Sequence, residues 1–406
     1  MNSDLRNKIV LEAERVAFFL FVVLVFFLPI SSAIIEISFT AILVCFLVRT
    51  IFARFSLSKT KLFFQNKINL SLLIFYLSIA VSTVISPMPS KSFIAWFFKW
   101  GEGVLLFYFA QVFLTKKKVI FLLKLFLASS ILICIDGFYQ KIVGVDFIRR
   151  FSISSANNAI RATFYNPNNL SSYLTAMFFI NYGVLYRSKK NWVKIIVVIA
   201  SLMLMGGLLL TYSRAGWFSF LVGIILLVAF SADKQSRVLL AIFAAIFVAV
   251  TSHLPFFEQK LLLTFHAGGD AQRFVLWKAA ILMFKHNPLF GRGLGLFMDC
   301  VKEYAVNLEG AYYAHNCYLQ ILAETGIFGL GTFLWFLWEL LLKGYKELRR
   351  RVDFRYLGLF LGLISFLIGA FFDTQFYSLK LSIFFWLLLS FVAVYISDST
   401  ANKKFA

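Results

Sequence analysis

The chain has 406 residues, 61% of them hydrophobic, with 51 phenylalanines and a mean hydropathy of +0.83. A soluble domain of this length has no interior for so much apolar surface, so the composition excludes soluble classes and specifies an integral membrane protein. The formal net charge of +21 would suggest nucleic acid in a soluble chain, but here Lys and Arg collect in short loops that orient membrane spans, which leaves nucleic acid without a role.

Apolar runs of roughly 17–25 residues, the length a helical span needs, recur along the whole chain. Short alternating strands are missing, which argues against a barrel. The expected fold is all-α and polytopic. About twelve transmembrane helices are expected near residues 16–34, 35–53, 68–86, 93–113, 119–137, 166–186, 195–211, 215–230, 238–254, 315–342, 357–373 and 379–396. Arg6, Lys8 and Arg15 precede the first span and set the N-terminus inside. Every even-numbered span then ends in a basic cluster: Arg54 to Lys67, Lys116 to Lys118, Arg187 to Lys194, Lys234 with Arg237, Lys343 to Arg355, and Lys403-Lys404. Both termini are therefore expected on the cytoplasmic side. The N-terminus resembles a signal sequence but lacks a clear small-x-small cleavage site, so it reads as an uncleaved first span.

Two outer loops have real length, at about 138–165 and 255–314. The chain thus divides into nine spans over 1–254, the large outer loop over 255–314, and three spans with a tail over 315–406. A loop as long as the second must carry structure of its own. Gln272 to Phe284 reads as an amphipathic helix, with Arg273, Trp277, Ala280, Ile281 and Phe284 on one face. Asn287-Pro288 stops it and Gly291-Arg292-Gly293-Leu294-Gly295 makes a turn. Such a helix suits the outer membrane surface. The four cysteines show no zinc spacing; Cys300 and Cys317 leave a disulfide open.

Basic residues on the outer side run against the positive-inside rule and so carry more information than those inside. They include Lys141, Arg149, Arg150, Arg161, Arg214, Lys260, Arg273, Lys278, Lys285, Arg292 and Lys302. Arg214 sits in the very short turn Thr211-Tyr212-Ser213-Arg214-Ala215-Gly216-Trp217, which holds its guanidinium at the interface. Snorkelling to lipid headgroups is the bland explanation. The functional one is an anionic, phosphate-bearing substrate, which the arginine fork suits. Arg161 precedes Phe164-Tyr165-Asn166-Pro167-Asn168-Asn169, whose asparagines can cap the sixth span.

His315 stands at a helix entrance within this cluster, while His253, His266 and His286 read as loop or interface residues. A lone imidazole without neighbouring carboxylate or thiol ligands does not make a metal site, but it can serve as a general base. Glu324 follows nine residues later, roughly 13 Å along the helix, too far for a direct bond to His315. Gln320 and Glu324 are one turn apart and read as packing groups or partners of a buried arginine. Lys99 and Glu102, three apart, are expected to pair. The outer loop is short of acids, which leaves His315 without an evident orienting partner.

The run His315-Asn316-x-Tyr318-Leu319-Gln320-x-Leu322-x-Glu324-x-Gly326 resembles the signature of the O-antigen ligase and polymerase superfamily. So do Ser213-Arg214-Ala215-Gly216-Trp217, Phe164-x-Asn166-Pro167-Asn168, and the Arg273-x-x-x-Trp277 helix running into Asn287-Pro288-Leu289-Phe290-Gly291-x-Gly293-x-Gly295. The resemblance covers roughly residues 70–375 and is densest over 160–330. It implies a multi-pass glycosyltransferase of the cell inner membrane, its active site and large loop facing the periplasm. The implied donor is a glycan on undecaprenyl diphosphate; in the ligase branch the acceptor is lipid A–core oligosaccharide. The implied chemistry is inverting and needs neither cofactor nor metal; membrane lipids are the surroundings. Carried onto this chain, His315 becomes the base for the acceptor hydroxyl. Arg214 and Arg273 become the groups that neutralise the leaving diphosphate, and Arg161, Asn316, Trp277, Arg292 and Gln320 further substrate-binding residues.

Within the superfamily the Ala314-His315-Asn316-x-Tyr318-Leu319-Gln320 run and the compact length favour a ligase over an O-antigen polymerase, which would extend lipid-linked glycan. A small-anion transporter is a different class of answer. It would want midplane charges, repeats and broken helices, whereas this chain concentrates charge at its outer rim. A purely structural membrane protein would leave the outer arginines unexplained.

Overall fold

The computed structural model describes residues 3–53, 66–154, 158–185, 190–230, 234–252, 269–305, 312–350 and 353–401. Lys260, His253 and His266, with residues 255–268 and 306–311 of the large outer loop, lie outside these residues. Among the described residues the fold is helical, with a single β-bridge between Val145 and Ser152. In chain order the helices are α1 Ser3–Phe27, α2 Ser32–Phe52, α3 Lys67–Val84, α4 Pro89–Phe113, α5 Lys116–Val143, α6 Pro167–Leu185 and α7 Asn191–Leu210. There follow α8 Arg214–Phe230, α9 Lys234–Ser252, α10 Gly269–His286, α11 Phe297–Tyr304, α12 Cys317–Arg350, α13 Phe354–Gly369 and α14 Leu379–Ala401.

Each expected span meets a helix, and α10 covers the expected amphipathic segment. Among the described residues α2, α3, α4, α5, α7, α12 and α14 are long and apolar enough to cross a membrane; α8 and α13 are apolar but shorter. The first boundary differs from expectation. The chain turns at 28–31 rather than near residue 34, because Pro29 cannot continue a helix and the Ser31 hydroxyl caps α2 at the Ile34 amide. Lys99 and Glu102 do not pair: a π-helical turn over Ala95–Gly101 shifts their register. All four cysteines are free and buried, so Cys300 and Cys317 are not bridged.

The main core gathers buried side chains from α1 to α9 and α12 to α14. Where α6 crosses α13 the two backbones touch. A Cβ on Gly183 would come within 2.7 Å of the Gly358 Cα. Close approach through small residues is how helices pack where lipid supplies no hydrophobic drive. A second, smaller core lies apart from the first. Leu276, Ala279 and Met283 of α10 meet Phe297, Cys300 and Val301 of α11 and Ala323 of α12. This outer layer fixes α10 on the start of α12.

Helix α12 is broken at Gly326, whose φ of 65° and ψ of −165° are outside helical space. Four backbone groups around the break bond to the segment after α10. Arg292 N and Gly293 N donate to the carbonyls of Ala323 and Glu324 at 3.0 and 2.9 Å. Ile327 N and Phe328 N donate to the carbonyls of Pro288 and Leu289 at 2.9 and 3.2 Å. Irregular backbone at such a place survives only when it is satisfied by protein in this way. The break is thus a joint between layers, not the open ion ligand set a transporter would want.

Candidate active site

The turn that carries Arg214 is built by its neighbours. Tyr212 adopts a left-handed φ of 49°. The Ser213 hydroxyl accepts from Gly216 N at 3.3 Å, and the Trp217 indole donates to the Leu208 carbonyl at 3.2 Å. Gly216 admits Ser171 of α6, which a Cβ would meet at 2.6 Å. The surrounding residues therefore frame the turn, and Arg214 is the member left at the surface.

Arg214 and Arg273 line one cavity of about 390 Å³. Ala215, Phe218, Phe274, Trp277 and Phe372 complete its wall. Two guanidinium groups set in an aromatic wall form a site for an amphiphile with an anionic head. The Trp277 indole N–H is buried and has no hydrogen-bond partner, which leaves a donor for a ligand oxygen.

Phe372 connects this cavity to the histidine, because its neighbour Asp373 holds His315. Asp373 Oδ1 lies 3.1 Å from His315 Nδ1. Asp373 sits in the turn after α13, buried at 3% exposure, and its Oδ2 has no partner. Burial alone would raise its pKa. The His315 hydrogen bond and charge, the Thr374 amide and the charge of Arg273 together outweigh burial and hold the carboxyl below its ordinary range. The imidazole is about one third exposed, at 35%. With Nδ1 facing a carboxylate, the proton of a neutral ring belongs on Nδ1, and Nε2 is the basic nitrogen.

His315 itself has a φ of 50°, a left-handed conformation rare for a non-glycine residue. Its neighbours enforce it. Gln320 Oε1 accepts from Ala314 N at 3.1 Å, and Asn316 Oδ1 caps α12 at the amides of Tyr318 and Leu319, both at 3.0 Å. Asn316 and Gln320 thus hold the histidine turn rather than line the arginine cavity. Arg161 donates to the carbonyls of Ser152 and Tyr165 at 2.9 and 3.0 Å and lies over the Phe151 ring, so it organises the 144–165 loop. Arg292 pairs with Glu303 at 2.9 Å across the outer layer. Of the expected site residues, the fold brings Arg214, Arg273 and Trp277 together, with His315 one residue link away.

Sequence reading missed Asp373, the partner that His315 was expected to lack. A signal was present: Asp373 is a carboxylate directly after the apolar run that ends in Phe371-Phe372, and acids in such places are rarely idle. Phe218, Phe274 and Phe372 were missed for the opposite reason, since 51 phenylalanines hide three that matter.

Residues 196–334 match the family model described as O-antigen ligase. Over these residues the chain is similar to the O-antigen ligase family. The matched stretch takes in Arg214, Arg273, Trp277, Arg292, His315, Gln320 and Glu324; Arg161 and Asp373 fall outside it. A curated relative is the teichuronic acid biosynthesis protein TuaE of Bacillus subtilis (strain 168). It is 24% identical over 299 aligned positions, which take in 66% of this chain and 59% of the relative. The chain therefore spans less than two thirds of that relative's length. The helices fit a multi-pass membrane protein, and residues 196–334 are similar to the O-antigen ligase family.

Proposed function

We propose that this ligase-family protein transfers a glycan from undecaprenyl diphosphate to lipid A–core oligosaccharide. It would do so at the periplasmic face of the inner membrane, with both termini in the cytoplasm. The observation that carries the reading is the junction at Phe372-Asp373, where an arginine-lined cavity adjoins a histidine–carboxylate pair. The acceptor hydroxyl gives its proton to His315 Nε2 while its oxygen attacks the anomeric carbon. The bond from that carbon to the diphosphate oxygen breaks with inversion. Arg214 and Arg273 balance the charge on the departing diphosphate, work that positioned guanidinium groups perform without a metal. Asp373 balances the imidazolium that forms and keeps the ring turned. The aromatic wall faces the first units of the polyprenyl chain.

A second reading is polymerisation of lipid-linked glycan. It is favoured by the Bacillus subtilis relative, whose name refers to teichuronic acid biosynthesis and not to lipopolysaccharide. Proteoliposomes holding the protein, the lipid-linked donor and lipid A–core separate the two. Glycan joined to lipid A–core is the expected product. Longer lipid-linked glycan with no lipopolysaccharide would replace the ligase reading with the polymerase one.

A further inference from the structure

The most heavily bonded buried acid among the described residues has no place in the chemistry above. Glu324 is fully buried in α12, two residues before the break. Its Oε2 accepts from Gly295 N at 2.9 Å and from the Tyr377 hydroxyl at 3.0 Å. Its Oε1 accepts from Gln320 Nε2 at 3.1 Å and from Phe297 N at 3.3 Å. Among the described residues no arginine pairs with it, contrary to one expectation from the sequence.

These four bonds lead to different parts of the site. Gln320 passes one link to Ala314 N, the amide that precedes His315. Tyr377 lies four residues after Asp373, in the short 3-10 turn that closes the Asp373 loop. Gly295 and Phe297 belong to the segment that carries α11 and packs α10, the helix of Arg273. We infer that Glu324 is the positioning residue of the transfer site, setting His315 through Gln320 and Asp373 through Tyr377 while it anchors the arginine-bearing outer layer. A carboxylate does this where an amide would not, because both its oxygens accept and all four partners donate.

The inference deepens the proposed transfer reaction and rests on it. It concerns a residue that touches neither substrate, so its test reads geometry through kinetics. The experiment uses the full chain in nanodiscs with lipid-linked donor and lipid A–core. Wild-type transfer in that assay is the control; its failure there would count against the proposed reaction and not against the role of Glu324. Glu324→Gln replaces one accepting oxygen with a donor, sets it against two of the four donors and risks the fold, so the deciding variants are Tyr377→Phe and Gln320→Leu, each of which cuts one link to Glu324. Each is expected to lower kcat by about 10- to 100-fold, the effect of a small misplacement remote from the reacting atoms, with donor KM and thermal stability near wild type. The double variant is expected to lose far less than the product of the single losses, since either cut already misaligns the same pair. Single variants with near-normal kcat, or losses confined to KM, would overturn the inference, as would losses that multiply in the double variant.

Discussion

His315 and Asp373 are 58 residues apart in the chain and 3.1 Å apart in space. The backbone around them is stitched to keep that distance. Cys317 N donates to the Ala370 carbonyl at 2.8 Å, and the Cys317 thiol donates to the Asp373 carbonyl at 3.2 Å. On the other side Gln375 donates to the Ser172 hydroxyl at 2.6 Å, and Asn169 donates to the Ser378 hydroxyl at 3.3 Å. The Asn166-Pro167-Asn168-Asn169 motif thereby gains a reason, as it starts α6 and ties that helix to the carboxylate's loop.

Asp373→Asn keeps the shape of the side chain and removes its charge. The imidazole then lacks the group that fixes its tautomer and balances its proton, and general-base help is worth roughly 100- to 10,000-fold. A loss of kcat in that range is expected, with donor binding retained. Steady-state transfer alongside binding of the lipid-linked donor measures both.

Arg214→Ala and Arg273→Ala are each expected to reduce kcat/KM by about 100-fold or more, since each removes a charge aimed at the leaving diphosphate. Lysine at either place restores charge without the planar fork, so partial recovery is expected. Equal recovery of both lysine variants to wild-type rates would show that charge alone matters. Titration of transfer rate against donor concentration distinguishes the cases.

The break in α12 makes a stability prediction. At Gly326 an added Cβ would lie 2.3 Å from the Leu289 carbonyl oxygen, and its φ of 65° strains any side chain. Gly326→Ala is expected to cost about 2–4 kcal/mol or to prevent folding. Gly331, five residues on, has open space around its Cα. Gly331→Ala should leave the melting temperature in detergent unchanged or raise it slightly.

The depressed pKa of Asp373 sets a pH dependence of stability. Its folded value lies below its unfolded value, so its stabilising contribution is complete above the ordinary aspartate range, about pH 4. That contribution is lost as pH falls through the lower folded value. The stability gap between wild type and Asp373→Asn should therefore narrow as pH falls below about 4. Melting curves of the two proteins below about pH 5 test this; a gap that kept widening below about pH 4 would contradict the ionised carboxylate.

Helix positions were legible because apolar length and basic loops carry their own physics, and even the α10 helix showed its face in the spacing of Arg273 and Trp277. The arginine pair stood out in the sequence as charges expected on the outer side against the positive-inside rule, although nothing in the spacing said they share a cavity. The His315–Asp373 pair was not legible. It depends on α13 turning back at Ala370 beside the start of α12, a tertiary contact with no local periodicity. The roles of Asn316, Gln320 and Glu324 were hidden for a related reason. A polar residue in a signature reads alike whether it meets substrate or backbone, and here their hydrogen bonds go to the fold.

The proposed transfer of glycan to lipid A–core depends on His315 held by Asp373. The most direct measurement is the lipopolysaccharide gel profile of a ligase-deficient cell carrying this gene or its His315→Ala variant, at matched expression. A glycan ladder on lipid A–core with wild type, lost with His315→Ala, is the expected result. A ladder that persists in the variant would contradict the role of His315, and a well-expressed wild type that restores none would contradict the ligase reading.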